Sequence, residues 1–170
     1  MTNPVGYIID FTLVYNKHKK PVYNFILKMT GKRDAAEDIL QTVFLKYYEN
    51  MDKIKNPERA PQWIYTVARN EIYQHMRNKY KATITYIESE DENRSEADLE
   101  SELERKEISQ MVKDEIEQLS HDHKEVILLK EISGLSYKEI AQILNITEDL
   151  VKSRLFKARK KLSEKLLKTF

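Results

Sequence analysis

The sequence has no cysteine and, in 170 residues, only 3 glycines and 4 prolines. Without cysteine there are no disulfides and no thiolate chemistry, which fits a reducing compartment. So little glycine and proline leaves hardly any turn chemistry for a many-stranded sheet, and too little glycine for a nucleotide-binding loop. Long apolar runs are also missing: stretches such as Tyr7 to Ile9 fall far short of a membrane span, and no signal peptide is visible. The chain is therefore expected in the cytoplasm, with no direct membrane insertion. No Ser-His-Asp order or paired-carboxylate pocket can be assembled, so neither an enzyme nor a cofactor is expected.

What the chain does have is helical periodicity and an uneven distribution of charge. The net charge of +1 averages over basic ends and an acidic middle. Hydrophobic residues at 41% suffice for two small helical cores, and the fold class is expected to be all-α. A first pattern runs from about Tyr7 to Met29 and stops at Gly31, with a kink or a break expected near His18 to Pro21. A second is expected to start on a capping box formed by Asp34 and Glu37 and to run to about Met51, with Ala36, Leu40, Val43, Phe44, Tyr47 and Met51 inward. Asp52 to Gln62, with two prolines, reads as a loop. A third helix follows to about Lys81, its core stripe being Ile64, Val67, Ala68, Ile72 and Met76. The opposite face carries Thr66, Arg69, Asn70, Tyr73, Gln74 and Arg77. Cations, amides and a ring on one face suit a phosphate backbone with exposed bases.

These patterns divide the chain into a helical unit at 1–81, an acidic flexible linker at 82–106 and a second helical unit at 107–170. The segment ATITYI from Ala82 to Ile87 reads as extended linker, since a lone strand has no partner. Beyond it, ESEDENRSE has almost nothing to bury. A helical period through Leu99, Leu103, Ile108, Met111, Val112, Ile116 and Leu119 then leads to a further helix capped by Ser120. His121 and His123 flank Asp122 there, but no third spaced ligand converges on them, and no metal site is expected.

The stretch from Gly134 to Leu162 reads as a helix-turn-helix. Ser136 and Glu139 form a capping box, Asn145 suits a left-handed helix end, and Thr147 caps the second helix. Leu150, Val151, Leu155, Ala158 and Leu162 form its expected inward stripe. Lys152, Arg154, Lys157, Arg159, Lys160 and Lys161 crowd the other faces, as expected of a helix entering the major groove.

Taken together, AEDILQTVFLKYYE (Ala36 to Glu49), WIYTVARN with Arg77 (Trp63 to Arg77), and the stretch from Leu119 to Leu162 resemble the extracytoplasmic-function (ECF) sigma factors of bacterial RNA polymerase. The resemblance implies two helical domains, region two and region four, joined by the acidic linker. It implies core RNA polymerase (the β′ clamp helices and the β flap), promoter DNA and an anti-sigma factor as partners. By similarity, Asp38, Gln41 and Phe44 contact the core polymerase. Arg69, Asn70, Tyr73, Gln74 and Arg77 meet the minus-ten element, with the Asp52 to Gln62 loop helping to capture a flipped base. Thr147, Glu148, Lys152, Ser153, Arg154, Lys157 and Arg159 meet the minus-thirty-five element. The chain departs from the family pattern at Gln74, where Asp is usual, at Asp149 and Leu150, where Gly-Thr is frequent, and at Asn145, where Gly is common. Glu148 and Asp149 suit a helix N-terminus but repel phosphate, and can instead accept from a cytosine amino group.

Overall fold

The computed structural model describes residues 4–85 and 103–169. Most of the acidic segment, and Leu99 with it, lies outside the described residues. Among those described there are seven α-helices and no strand, as the all-α expectation requires.

Helix α1 (Pro4–Thr30) continues through Pro21, so of the two expected alternatives, a kink or a break, the break does not occur. An internal proline costs about 3 kcal/mol. Just beyond it, Val22, Phe25, Ile26 and Met29 are buried, and each such side chain returns about 1.5–3 kcal/mol. The burial outweighs the lost hydrogen bond. Gly31, at φ +70°, then ends the helix, and its amide donates to the Leu27 carbonyl at 2.8 Å.

Helix α2 (Arg33–Asn50) starts one residue earlier than expected and without the capping box. Lys32 takes the extended cap position, with no side-chain cap, because the chain has turned immediately at Gly31. Asp34 falls within the first turn, where its charge still suits the helix end, and Glu37 pairs with Arg33 at 3.7 Å instead of reaching back. Two short 3-10 turns, Met51–Lys53 and Pro57–Arg59, occupy the expected loop, and the Asn56 side chain accepts from the Glu58 amide at 2.9 Å.

Helix α3 (Ala60–Thr85) takes in Ala82 to Thr85, against the expectation of extended chain there. The Thr83 hydroxyl donates to the Lys79 carbonyl at 2.9 Å, a local bond that lets a β-branched residue sit in an exposed last turn. Its buried stripe includes Tyr65, absent from the expected core, which lies three and seven residues before Ala68 and Ile72.

Helix α4 (Leu103–Glu117) leads to α5 (His121–Ile127), which continues into a π-helical segment, Leu128–Ile132. Ser120 holds the cap position of α5, but its hydroxyl lies 2.9 Å from His123 Nδ1 and caps no amide. Helices α6 (Tyr137–Leu144) and α7 (Glu148–Thr169) form the helix-turn-helix. Val126, Ile127, Leu128 and Leu129 are all buried.

The two helical units do not stand apart. Helix α1 packs on the π segment and α3 on α6, so the buried residues of both units form one continuous cluster.

Candidate nucleic-acid and polymerase interfaces

The helix-turn-helix is built by local chemistry. The Ser136 hydroxyl accepts from the Glu139 amide at 3.2 Å, and the Glu139 carboxylate accepts from the Ser136 amide at 2.7 Å. Asn145 adopts the left-handed conformation at φ 54°, and the Ile146 amide donates to the Ala141 carbonyl at 3.0 Å. The Thr147 hydroxyl then accepts from the Leu150 amide at 3.2 Å. All three local expectations hold.

On α7, Val151, Leu155 and Ala158 are buried at helical spacing, whereas Leu150 is 40% exposed, contrary to the expected stripe. One residue of α-helix is a 100° rotation, which carries Leu150 off the inward arc fixed by Val151. Thr147, Glu148, Lys152, Ser153 and Lys157 are exposed. Arg154 differs: it is only partly exposed and its guanidinium lies 2.8 Å from the Asp122 carboxylate of α5. Arg159 bonds Glu131 at 2.5 Å on the surface, and this bond is the first cause of its raised pKa. Phe156 stands 69% exposed among the cations, a feature the expected stripe and basic faces both passed over.

In the first unit, Asp38 and Gln41 are exposed on α2. Phe44 is not: it is buried, with its ring 4.8 Å from Tyr15 in an edge-on contact. Its motif position and its core position are the same position, so it reaches the surface only as part of the wall of a shallow groove of about 310 Å³ shared with Phe11, Leu40, Gln41 and Leu45. Leu45 and Tyr48 are exposed beside it.

A second concavity, of about 670 Å³, lies between the two 3-10 turns and the start of α3. Lys53, Lys55, Asn56, Arg59, Gln62 and Trp63 are among its walls. Cations, amides and an indole in one hollow offer stacking and hydrogen bonding to a base. The prolines and mixed charges of Asp52 to Gln62 signal a loop, but not which of its side chains converge.

Farther along α3, Arg69, Asn70, Tyr73, Gln74 and Arg77 line one hollow of about 370 Å³. The helical spacing of three and four predicts that grouping. It does not predict that α5 covers part of it. Arg69 Nε lies 2.7 Å from Oε1 of Glu125, and the guanidinium sits 4.6 Å from the centre of the Tyr73 ring. The Tyr73 hydroxyl is 3.1 Å from His121 Nδ1 and 3.4 Å from Glu125 Oε2. Burial works against the Arg69 charge, but the Glu125 carboxylate overrides it and the pKa rises. Burial and the same carboxylate also raise the Tyr73 pKa. Asn70, Gln74 and Arg77 remain exposed. His121 and His123 point to different partners, Tyr73 and Ser120, so their nitrogens do not converge.

The models of sigma-70 region 2 and sigma-70 region 4 match residues 14–82 and 109–162 respectively. The chain is 30% identical over 149 residues to the ECF RNA polymerase sigma factor SigM of Bacillus subtilis (strain 168), an alignment covering 88% of this chain and 90% of that protein. The chain belongs to the ECF sigma factors. It is thus a promoter-recognising sigma factor of RNA polymerase with regions two and four. Among solved structures it is similar to the sigma factor RpoE in complex with the anti-sigma factor NepR from Bartonella quintana, with a TM-score of 0.73, 27% identity, and coverage of 92% of this chain and 96% of that one. It also shares its fold with CnrH in complex with the cytosolic domain of CnrY, at a TM-score of 0.66 and 22% identity, with coverage of 92% and 86%. Sigma factors are initiation factors and not enzymes. Among the described residues, no helix is long and apolar enough to cross a membrane.

Proposed function

We propose that region two spans residues 1–81 and region four residues 107–170, and that promoter contact is divided between them along the faces described above. Asp38 and Gln41 form the polymerase contact on α2, with Phe44 shaping the groove beneath. Asn70, Gln74 and Arg77, joined by Arg69 and Tyr73, hold the minus-ten strand, and the Lys53 to Trp63 hollow receives a flipped base. Extruding a base costs a few kcal/mol, which stacking and edge hydrogen bonds offset. Lys152, Ser153 and Lys157, behind Thr147 and Glu148, meet the minus-thirty-five element, and Arg159 borders it. The protein acts in the cytoplasm without catalytic activity of its own. An anti-sigma factor binds it and holds it inactive, a reading supported by its likeness to the RpoE of Bartonella quintana, which forms a complex with the anti-sigma factor NepR.

The observation that carries this reading is that one helix, α3, walls both hollows: its first turns close the larger one and Arg69 to Arg77 line the next. A strand lying along α3 meets stacking, amide and cationic groups in succession. The test is run-off transcription with purified core polymerase and fragmented genomic DNA, followed by the same promoters in duplex form and already unpaired across the minus-ten element. Defined start sites are expected, and Asn70→Ala with Gln74→Ala should impair the duplex template far more than the unpaired one. Equal losses on both templates overturn the melting role, and no defined start sites overturn the whole reading. A helix-turn-helix regulator acting alone would bind duplex DNA without polymerase.

A further inference from the structure

We propose that Glu125 is an internal stand-in for a DNA phosphate, latching region four over the minus-ten face of region two until polymerase and promoter displace it. The proposal rests on the minus-ten assignment of Arg69 and Tyr73 above. Glu125 is the one charged or polar side chain that is buried among the described residues, at 1% exposure. Its carboxylate faces the two groups assigned to the strand, Arg69 and Tyr73, and His121 completes the contact from the start of the same helix. An oxyanion bound to a guanidinium and a phenol is the arrangement a phosphodiester would make with them. Arg69 therefore exchanges one anion for another when the seam opens onto DNA, and the two states compete for the same donors.

A second observation marks the seam as one made to part. His121 Nε2 is buried without a hydrogen bond, and the buried Tyr65 and Ser133 hydroxyls have no partner but each other. Tyr65 and Ser133 belong to opposite regions and lie close enough for Ser133 to influence the phenol. Permanently buried polar groups are nearly always paired. Here one nitrogen is unpaired and two hydroxyls have only each other across the seam, so opening it returns them to water and offsets part of the lost apolar contact. Lys28 of α1 is half-buried against region four, where burial and the charges of Lys113 and Lys124 work against its cation and Glu117 offsets part of that.

The test uses the full chain, whose lack of cysteine allows clean labelling at Glu49→Cys on α2 and Gln142→Cys on α6, both exposed. Distance distributions between the labels are measured for the free protein, and binding is measured to a fluorescein-labelled single-stranded DNA of randomised sequence. The free parent protein should show a single short distance. Glu125→Gln, which keeps shape but loses charge, should shift it to a longer, broader distribution and tighten DNA binding about tenfold, since a larger fraction is competent to bind. His121→Ala, which leaves Glu125 paired with Arg69 and so strands no charge, should act in the same direction and guards against a folding defect in the first variant. If the distance is the same in parent and both variants while all three stay folded by circular dichroism, the latch is overturned. If the distance lengthens without tighter DNA binding, occlusion is overturned, and the fault then lies with the minus-ten assignment of α3 and not with the closure.

Discussion

At the scale of single residues, Tyr65 offers a measurement that needs no partner. Burial pushes its phenol up to about 12 from an ordinary value of 10.0. Between those values the unfolded chain has released the proton and the folded chain has kept it, so stability falls as pH rises through this window. The loss reaches on the order of 2–3 kcal/mol only once pH passes the folded-state value. Tyr65→Phe removes a hydroxyl with no partner but Ser133, so it should cost little at pH 7 and should flatten this part of the decline. Urea unfolding of both proteins at pH 9, 10 and 11 checks it, lysine titration being common to the two. Lys157 and Arg154 make a second residue-scale contrast. Lys157 is exposed on the outer face, so Lys157→Ala should weaken binding to every minus-thirty-five sequence about equally and lower the magnitude of the salt slope by roughly one. Arg154 is engaged with Asp122, so Arg154→Ala should instead cost about 1 kcal/mol of stability and leave base discrimination intact, contrary to a guanine-reading role. Holoenzyme binding to a panel of promoter variants at several salt concentrations, beside thermal melts, separates the two.

At the scale of elements, what can be read from the sequence is what neighbouring residues settle among themselves. Ser136 with Glu139, Asn145 at its left-handed turn and Thr147 at the next cap lie within a dozen residues, and their bonds require nothing from elsewhere in the chain. The grouping of Arg69, Asn70, Tyr73, Gln74 and Arg77 is equally legible, being a property of one helix face. Ala82 to Thr85 and the Ser120 cap depart from expectation through local bonds, but other failures involve more of the chain. Spacing alone assigns Leu150 inward, but packing of Val151, Leu155 and Ala158 fixes the rotation of α7 and turns it out. Asp34 loses its capping role to a turn set by Gly31, and α5 covers a face of α3 that periodicity can only classify as polar. Helix α2 supplies the prediction that belongs here. Asp38→Arg with Gln41→Ala alters its exposed face while sparing Ile39, Val43 and Phe44 beneath, so helicity and the thermal transition should hardly change. Affinity for core polymerase should drop at least tenfold in a titration, and unchanged affinity would remove this face from the polymerase contact.

At the scale of the whole molecule, the cluster of buried side chains runs without interruption from α1 through α3 into the π segment and α6. Two domains that share a core should melt together. The free protein is expected to show one cooperative thermal transition, and a piece ending at residue 85 should melt roughly 5 °C or more below it, having lost the cover of region four. Two well-separated transitions in the full chain would show that each region is stable without the other. The shared core also bears on Arg69, which answers to two selections at once. With Arg69 in both the proposed latch and the proposed minus-ten contact, a change there should alter both how tightly the protein grips a promoter and how often it is free to do so, with effects of opposite sign on output. Arg69→Lys and Arg69→Gln should therefore look milder in a cell-based transcription screen than in either purified assay, because the two effects partly cancel. A deep mutational scan that scores output alone would rank this position as tolerant, although its side chain has both an ion-pair partner across the seam and a place in the hollow proposed to hold DNA.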